Sequence, residues 1–407
     1  MNPAFFRSPA FVLAATAIVL AISTGIRHGF GLFLPPMSEA NGWGREVFAF
    51  SIALQNLIWG AAQPFTGMLA DRIGAGKAMA GGALLYALGL LLMAGVETPL
   101  GLTLSAGVLI GIGLSGTTFA VVLGAISRAV PPEKRSVAMG IGAAIGSFGQ
   151  FAMLPVTQGL IGTLGWSVAL IALAALAAVM VPTSAMVVEK PAPETKAEAQ
   201  ISVLEALREA SGHRGFWLLS FGFFVCGFHV LFIAIHLPAF LADNGMSISV
   251  GTTALALVGL FNIFGTYLAG LLGGRFHKPT LLAGLYFGRA VVIALFVMAP
   301  LSVWSVYLFS AAIGFLWLST VPLTNGTVAS IFGVKNMSML TGIVFFFHQV
   351  GSFLGGWLGG YVYDASGSYD LVWMAAIVLG VAAGALNLPI REVPVDRLAA
   401  AAEAKPA

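Results

Sequence analysis

Apolar residues in this chain run in long unbroken stretches, and polar residues gather in the short breaks between them. Twelve such stretches lie near 10–35, 46–70, 75–95, 100–128, 137–162, 166–188, 215–241, 249–273, 279–299, 302–331, 338–363 and 369–389. A helix needs about 20 apolar residues to cross the hydrocarbon core of a bilayer. The strands of a membrane barrel would alternate polar and apolar positions instead, and these runs do not alternate. The pattern predicts an all-α membrane protein of twelve transmembrane helices. The first apolar run follows Arg7 and lasts about 25 residues, beyond the roughly 7–15 of a signal-peptide core. It reads as an uncleaved first span.

The breaks organise the chain. The longest runs from Glu189 to Arg214, with Pro191, Pro193 and mixed charges, and reads as a linker. The expected division is an N-terminal six-helix half over 1–188, a cytoplasmic linker over 189–214, a C-terminal six-helix half over 215–390 and a cytoplasmic tail over 391–407. With both termini placed inside, 16 of the 19 Lys and Arg residues become cytoplasmic and only Arg45 falls in an outer loop. This follows the positive-inside rule and predicts a multi-pass protein of the cell inner (cytoplasmic) membrane. The halves also resemble each other at an offset of about 203 residues: Gly67–Arg72 matches Gly270–Arg275, and Ile145–Phe148 matches Val350–Phe353. Two such halves around a central cavity place a substrate site at their interface, near the midplane.

Composition narrows the function. Hydrophobic residues make up 58% of the chain and charged residues 9%, against roughly 25% charged in soluble domains. An ordinary soluble enzyme, a disordered chain and a nucleic-acid binder are all excluded. One cysteine, Cys226, forms no internal disulfide, and no Cys/His spacing suits zinc. No phosphate-binding loop of the Gly-x4-Gly-Lys-Ser/Thr kind is present. No cofactor, metal or enzymatic activity is expected.

Gly67-Met-Leu-Ala-Asp71-Arg72-Ile-Gly74-Ala-Gly-Lys77, between spans two and three, resembles the signature loop of the major facilitator superfamily, departing from it at Ala75 and Gly76 and carrying Lys77 one place late. The resemblance implies a solute transporter working by alternating access, with Asp71 and Arg72 as gating residues. Gly25-Ile-Arg27-His28-Gly-Phe-Gly-Leu-Phe-Leu-Pro35-Pro36 and Thr341–Gly356, followed by Tyr363–Tyr369, resemble bacterial relatives of the monocarboxylate and oxalate/formate porters. Where monocarboxylate porters typically carry an Asp and an Arg four residues apart on span eight, this chain has Asn262 and Thr266.

Ionisable residues inside a membrane are costly, about 2.5–3.5 kcal/mol each on insertion scales, and usually face a cavity. All 16 Asp and Glu fall in loops or at span ends, whereas Arg27, Arg289, His28, His229, His236 and His348 lie inside spans. Fixed positive charge without carboxylates favours an anion, and a guanidinium fork matches a carboxylate. Arg27, near the middle of span one, is the leading substrate residue, with Ser23 one turn before it and Gly31 one turn after. His229 and His236, seven apart on span seven, share a helix face; Pro238 follows and is expected to break or bend that helix. His348 joins them as a candidate from span eleven. Arg289 lies on a span that is peripheral in the resembled fold, so bonding to neighbouring backbone is its first reading. His28 points about 100° away from Arg27, and packing is its first reading too. Asn56, Gln150, Asn262 and Asn325 are polar candidates that either bind substrate or join helices.

These residues describe a secondary transporter of a small organic anion, a mono- or dicarboxylate. Its partners are the anion, a coupling proton or counter-anion, and the lipid bilayer; a monomer suffices, because one chain carries both halves. An exporter of amphipathic compounds and a non-transporting sensor with a transporter fold stand as alternatives.

Overall fold

The computed structural model describes residues 8–130, 135–187, 203–333 and 337–395, and every regular element among them is a helix. The first half holds α1 (Pro9–His28), α2 (Leu34–Asn41), α3 (Arg45–Ile73), α4 (Ala75–Met93), α5 (Pro99–Leu102), α6 (Ile110–Thr117), α7 (Phe119–Ala129) and α8 (Arg135–Ala185). After the short α9 (Val203–Gly212) come α10 (Arg214–Asp243), α11 (Ile248–Gly273), α12 (Lys278–Met298), α13 (Val303–Leu316), α14 (Thr320–Phe332), α15 (Met337–Ser366) and α16 (Asp370–Asn387). Ten stretches among the described residues are long and apolar enough to cross a membrane. One of them, 140–185, is two helices joined at Gly165, whose φ of 79° suits glycine. The 29-residue α3 is long enough as well, but Gln55, Asn56 and Gln63 dilute its hydropathy. Counted this way, the described residues carry the twelve-helix layout.

Local chemistry sets the helix ends. Ser8 caps α1 by accepting the Phe11 N–H at 3.3 Å, with Pro9 in the first turn. Ser302 and Ser305 form a reciprocal capping box at α13. Span one does not stay regular: α1 stops at His28 and a tight turn over Phe30–Phe33 leads into α2. Helix α10 runs through Pro238 without a break.

The buried apolar side chains form two cores. One is built from residues 12–187 with Leu231, Ile235 and Ala239 added; the other is built from residues 210–390 with Leu32 and Leu154 added. The crossing residues belong to spans one, five and seven, where the halves meet.

The internal repeat reappears in contacts. Ser23 Oγ lies 2.8 Å from Thr117 Oγ1, and Cys226 Sγ lies 3.3 Å from Thr320 Oγ1, both pairs 94 residues apart and offset from each other by about 203. Each pair braces an interrupted span. Span four leaves helical geometry at Thr118 (φ −112°, ψ −171°), and span ten is interrupted between Leu316 and Thr320. Glycines repeat in the same way. A methyl group on Gly149 would strike the Ala21 carbonyl, and one on Gly351 would strike the Phe224 carbonyl. Spans one and five, and spans seven and eleven, therefore pack backbone to backbone.

Candidate functional site

The halves touch along their middle helices. Gly31 rests on the Ala234 carbonyl, joining spans one and seven at equivalent points of the repeat. Gly60 of α3 packs on the Gln349 side chain of α15, and Gly259 of α11 packs on Gln150 of α8.

At one end a polar latch spans the two halves. Arg45, at the start of α3, forms a fork with Asp243 at 2.6 and 2.7 Å. Its Nη1 also donates to the Tyr369 hydroxyl at 2.9 Å, and its guanidinium stacks over Tyr363 at 3.9 Å. The Asp364 carboxylate accepts the backbone N–H groups of Arg45 (3.0 Å) and Glu46 (2.8 Å), so the second half caps a helix of the first. Trp357 Nε1 donates to Glu46 Oε1 at 2.8 Å.

Toward the middle of the span, Arg27 is half-buried. Its Nη2 donates to Asn56 Oδ1 at 2.5 Å. Asn56 is wholly buried and donates its own Nδ2 to the Ile52 carbonyl at 2.8 Å, which orients Oδ1 toward the guanidinium. The guanidinium lies over Trp59 at 4.8 Å, a favourable cation–π placement. Trp59 meets Phe345 edge to face at 5.3 Å, and Phe345 lies parallel to His348 at 5.7 Å. Arg27 Nε is buried without a partner. Arg27 and Asn56 of one half are thus connected through two aromatic rings to His348 of the other.

The remaining candidates are placed elsewhere. His229 sits 2.8 Å from the Ala376 carbonyl. His236 lies between the Gly356 carbonyl (2.8 Å) and the Tyr369 hydroxyl (3.2 Å). His28 reaches the Leu255 carbonyl at 3.3 Å. Asn262 Oδ1 accepts Leu318 N–H at 3.0 Å and Thr266 Oγ1 at 3.1 Å, closing the break in span ten. Arg289 directs Nε and Nη2 at the Leu316 carbonyl (3.1 and 2.7 Å), and Nη2 also meets the Trp317 carbonyl. It braces the same break. Gln150 is buried with Oε1 unpartnered, and Asn325 is half-buried on α14. Gly31, one turn after Arg27, packs against the Ala234 carbonyl. Arg72 is exposed at the end of α3, and the side chain of Asp71 lies outside the described residues.

Sequence reasoning missed Trp59, Phe345, Gln349 and the latch. Trp59 stands three residues after Asn56, on the same helix face. Arg45 carried a signal of its own, as the sole basic residue assigned to an outer loop.

Twelve helices, a repeated architecture and a charged residue at the seam define a membrane transporter. The model of the Major Facilitator Superfamily matches residues 13–355, and the chain belongs to that family. Among its relatives is an uncharacterised MFS-type transporter, YcxA, of Bacillus subtilis, 28% identical over 90% of this chain and 91% of that protein. Human monocarboxylate transporter 11 is 27% identical over 88% of this chain and 78% of its own length. The oxalate:formate antiporter of Oxalobacter formigenes is 24% identical over 86% and 84%. A bacterial homologue of the human lysosomal transporter Spinster, solved in an inward-facing and occupied conformation, shares the fold with a TM-score of 0.72 at 15% identity, over 93% of this chain and 96% of that one. The resemblance to monocarboxylate and oxalate/formate porters therefore holds at the level of family membership.

Proposed function

We propose that this transporter carries a small organic anion, a carboxylate, by alternating access, with Arg27 as its counter-charge. One observation carries the reading: a guanidinium stands at the seam of the halves, within a span, and its partner is the neutral Asn56 rather than a carboxylate. A charge placed there without a counter-ion costs free energy, and an incoming carboxylate relieves that cost. The relatives that transport monocarboxylates and oxalate or formate support the substrate class. Asn56 orients the guanidinium and leaves its remaining donors for substrate, with His348 on the opposite wall.

In this proposal the termini are cytoplasmic and the latch of Arg45, Asp243 and Asp364 lies on the outer side of the inner membrane. The described conformation is then closed to the outside. Asp71 and Arg72 act at the inner gate. A proton or a counter-anion couples the cycle, and the monomer is the working unit.

Counterflow into proteoliposomes tests the function. Preloaded vesicles should accumulate at least one labelled carboxylate, and Arg27→Gln should lower the initial rate at least tenfold. Accumulation of cationic or neutral amphipathic compounds, indifferent to Arg27→Gln, would replace this reading with that of an amphipath exporter.

A further inference from the structure

We infer that the substrate is a monocarboxylate with a flat apolar body, its carboxylate held between Arg27 of the first half and Gln349 of the second. The inference rests on the organic-anion reading above and sharpens it.

The first ground is the charge inventory at the seam. Of the two arginines inside spans, Arg289 spends its donors on the Leu316 and Trp317 carbonyls, away from the seam. Its Nη1 is unpartnered but lies within the second half with the rest of the group, which leaves Arg27 as the span arginine that stands at the seam. It balances one carboxylate; a second would be desolvated with no cation to meet it, which is strongly unfavourable.

The second ground is the wall beside that charge. Trp59 lies under the Arg27 guanidinium and presents itself edge to face to Phe345. Phe345 is parallel to His348 within 8°, and Phe223 lies 4.7 Å from His348 with its ring tilted by 45°. Phe345 is only half-buried within this packed series. Aromatic faces and edges so arranged suit a planar apolar group, since ring pairs favour each other beyond the area they bury. A very short carboxylate would leave them unused.

The third ground is Gln349. Its side chain is wholly buried. Oε1 lies 3.0 Å from His348 Nδ1 and 3.5 Å from Ser352 Oγ, an arrangement in which His348 carries its proton on Nδ1. Nε2 is left without a partner. The Gln349 stem rests on Gly60, one turn beyond Asn56 on α3. A buried amide donor without an acceptor is unfavourable, and a carboxylate oxygen satisfies it. Holding one substrate group from both halves gives each half a direct stake in the bound ligand, which favours the closed, occupied state.

Isothermal titration of the full-length, detergent-purified chain with benzoate, acetate and malonate tests this. Arg27→Gln serves as the blank for micelle partitioning. Benzoate should bind at least tenfold more tightly than acetate, about 1.4 kcal/mol, and malonate no more tightly than acetate. Trp59→Leu should reduce the benzoate-to-acetate preference to threefold or less, while Trp59→Phe retains most of it. Gln349→Met should weaken benzoate and acetate alike, tenfold or more. Malonate binding tightest, with sensitivity to Arg27→Gln, overturns this inference and leaves the anion reading standing. An unchanged preference in a folded Trp59→Leu, or unchanged affinity in a folded Gln349→Met, also overturns it. A cationic or neutral amphipath titrated alongside, bound while all three anions are not and unaffected by Arg27→Gln, removes both readings; no binding by any of the three anions overturns the inference.

Discussion

Two arginines of this chain stand inside spans, and their surroundings separate them. Arg289 is 1% exposed and is spent on the carbonyls of a broken helix, so it completes the backbone hydrogen bonding that the break leaves open. Arg27 is half-buried at the seam, and its hydrogen-bond partner is the neutral side chain of Asn56 rather than a set of freed carbonyls. Hydrogen bonds from a charged donor contribute about 1.5–3 kcal/mol each. Arg289→Met should therefore lower the melting temperature markedly and leave the substrate affinity of the folded fraction unchanged. Arg27→Gln should do the reverse, abolishing anion binding with little loss of melting temperature. Arg27→Lys should restore binding only in part, since an ammonium cannot fork between Asn56 and a carboxylate. Both measurements need only a melting curve and a titration. The presence of two cations and no acids inside the membrane was legible in the sequence. Which cation had a committed partner was not, because the Leu316 carbonyl is freed by a helix break that apolar composition does not reveal. The same holds for Asn262 and the histidines: a polar residue within a span looks alike whether it meets a neighbouring carbonyl or an open seam.

At the scale of elements, hydropathy carried almost the whole layout, since each run long enough to cross a bilayer became a helix. The exceptions are instructive. Helix α3 is among the least apolar, because one of its faces holds Asn56 and Trp59 against Arg27 and Gln63 against the Ser115 carbonyl. Spans four and ten look continuous in sequence but are interrupted, and side chains from neighbouring spans brace both interruptions. Glycines of spans five and eleven meet the backbone of spans one and seven. Gly351→Leu should cost at least 1–3 kcal/mol, as overpacking does in a filled core, because the new side chain meets the Phe224 backbone rather than a movable group. Gly342→Leu, with nothing nearby, is the matched control; thermal unfolding of the pair measures the difference. Beyond the last span, Glu392 accepts both the Nζ and the backbone N–H of Lys278 at 2.8 Å. Burial alone would raise its carboxyl, but the hydrogen bonds and charge of Lys278 outweigh that and hold it below the usual carboxylate value. A depressed folded value stabilises above the unfolded value, about 4.3, and that contribution is lost as pH falls through the folded one. The melting temperature should therefore drop from pH 6 to pH 3 more steeply in the parent chain than in Glu392→Gln.

The whole molecule is two cores that pack against each other through α3 with α15 and α8 with α11, and among the described residues a charged latch joins them at one end. Arg45, Asp243, Asp364 and Tyr369 bind the halves there, while Arg27, Asn56 and His348 form a separate series across the seam. A latch of this kind has to open if the halves rock. Replacing Arg45 by Ala removes the fork to Asp243, the bond to Tyr369 and the stacking on Tyr363. Spin labels placed on Asn41 and Asn244, in a chain carrying Cys226→Ser, should then show a longer distance population that the parent lacks. An unchanged distribution in Arg45→Ala would mean that the Asp364 cap, the Trp357–Glu46 bond and helix packing hold this end closed without the fork.

The central claim is that an anion meets Arg27 at the seam, and thermal stabilisation tests it most directly. Detergent-purified full-length chain and Arg27→Gln would be melted with monocarboxylates, dicarboxylates, inorganic anions, cations and neutral amphipaths. A ligand at 100 times its dissociation constant stabilises by about 2.7 kcal/mol, a shift readily seen. The account predicts stabilisation by carboxylates in the parent chain and none in Arg27→Gln. Stabilisation confined to cations or neutral amphipaths, and equal in both proteins, would contradict it.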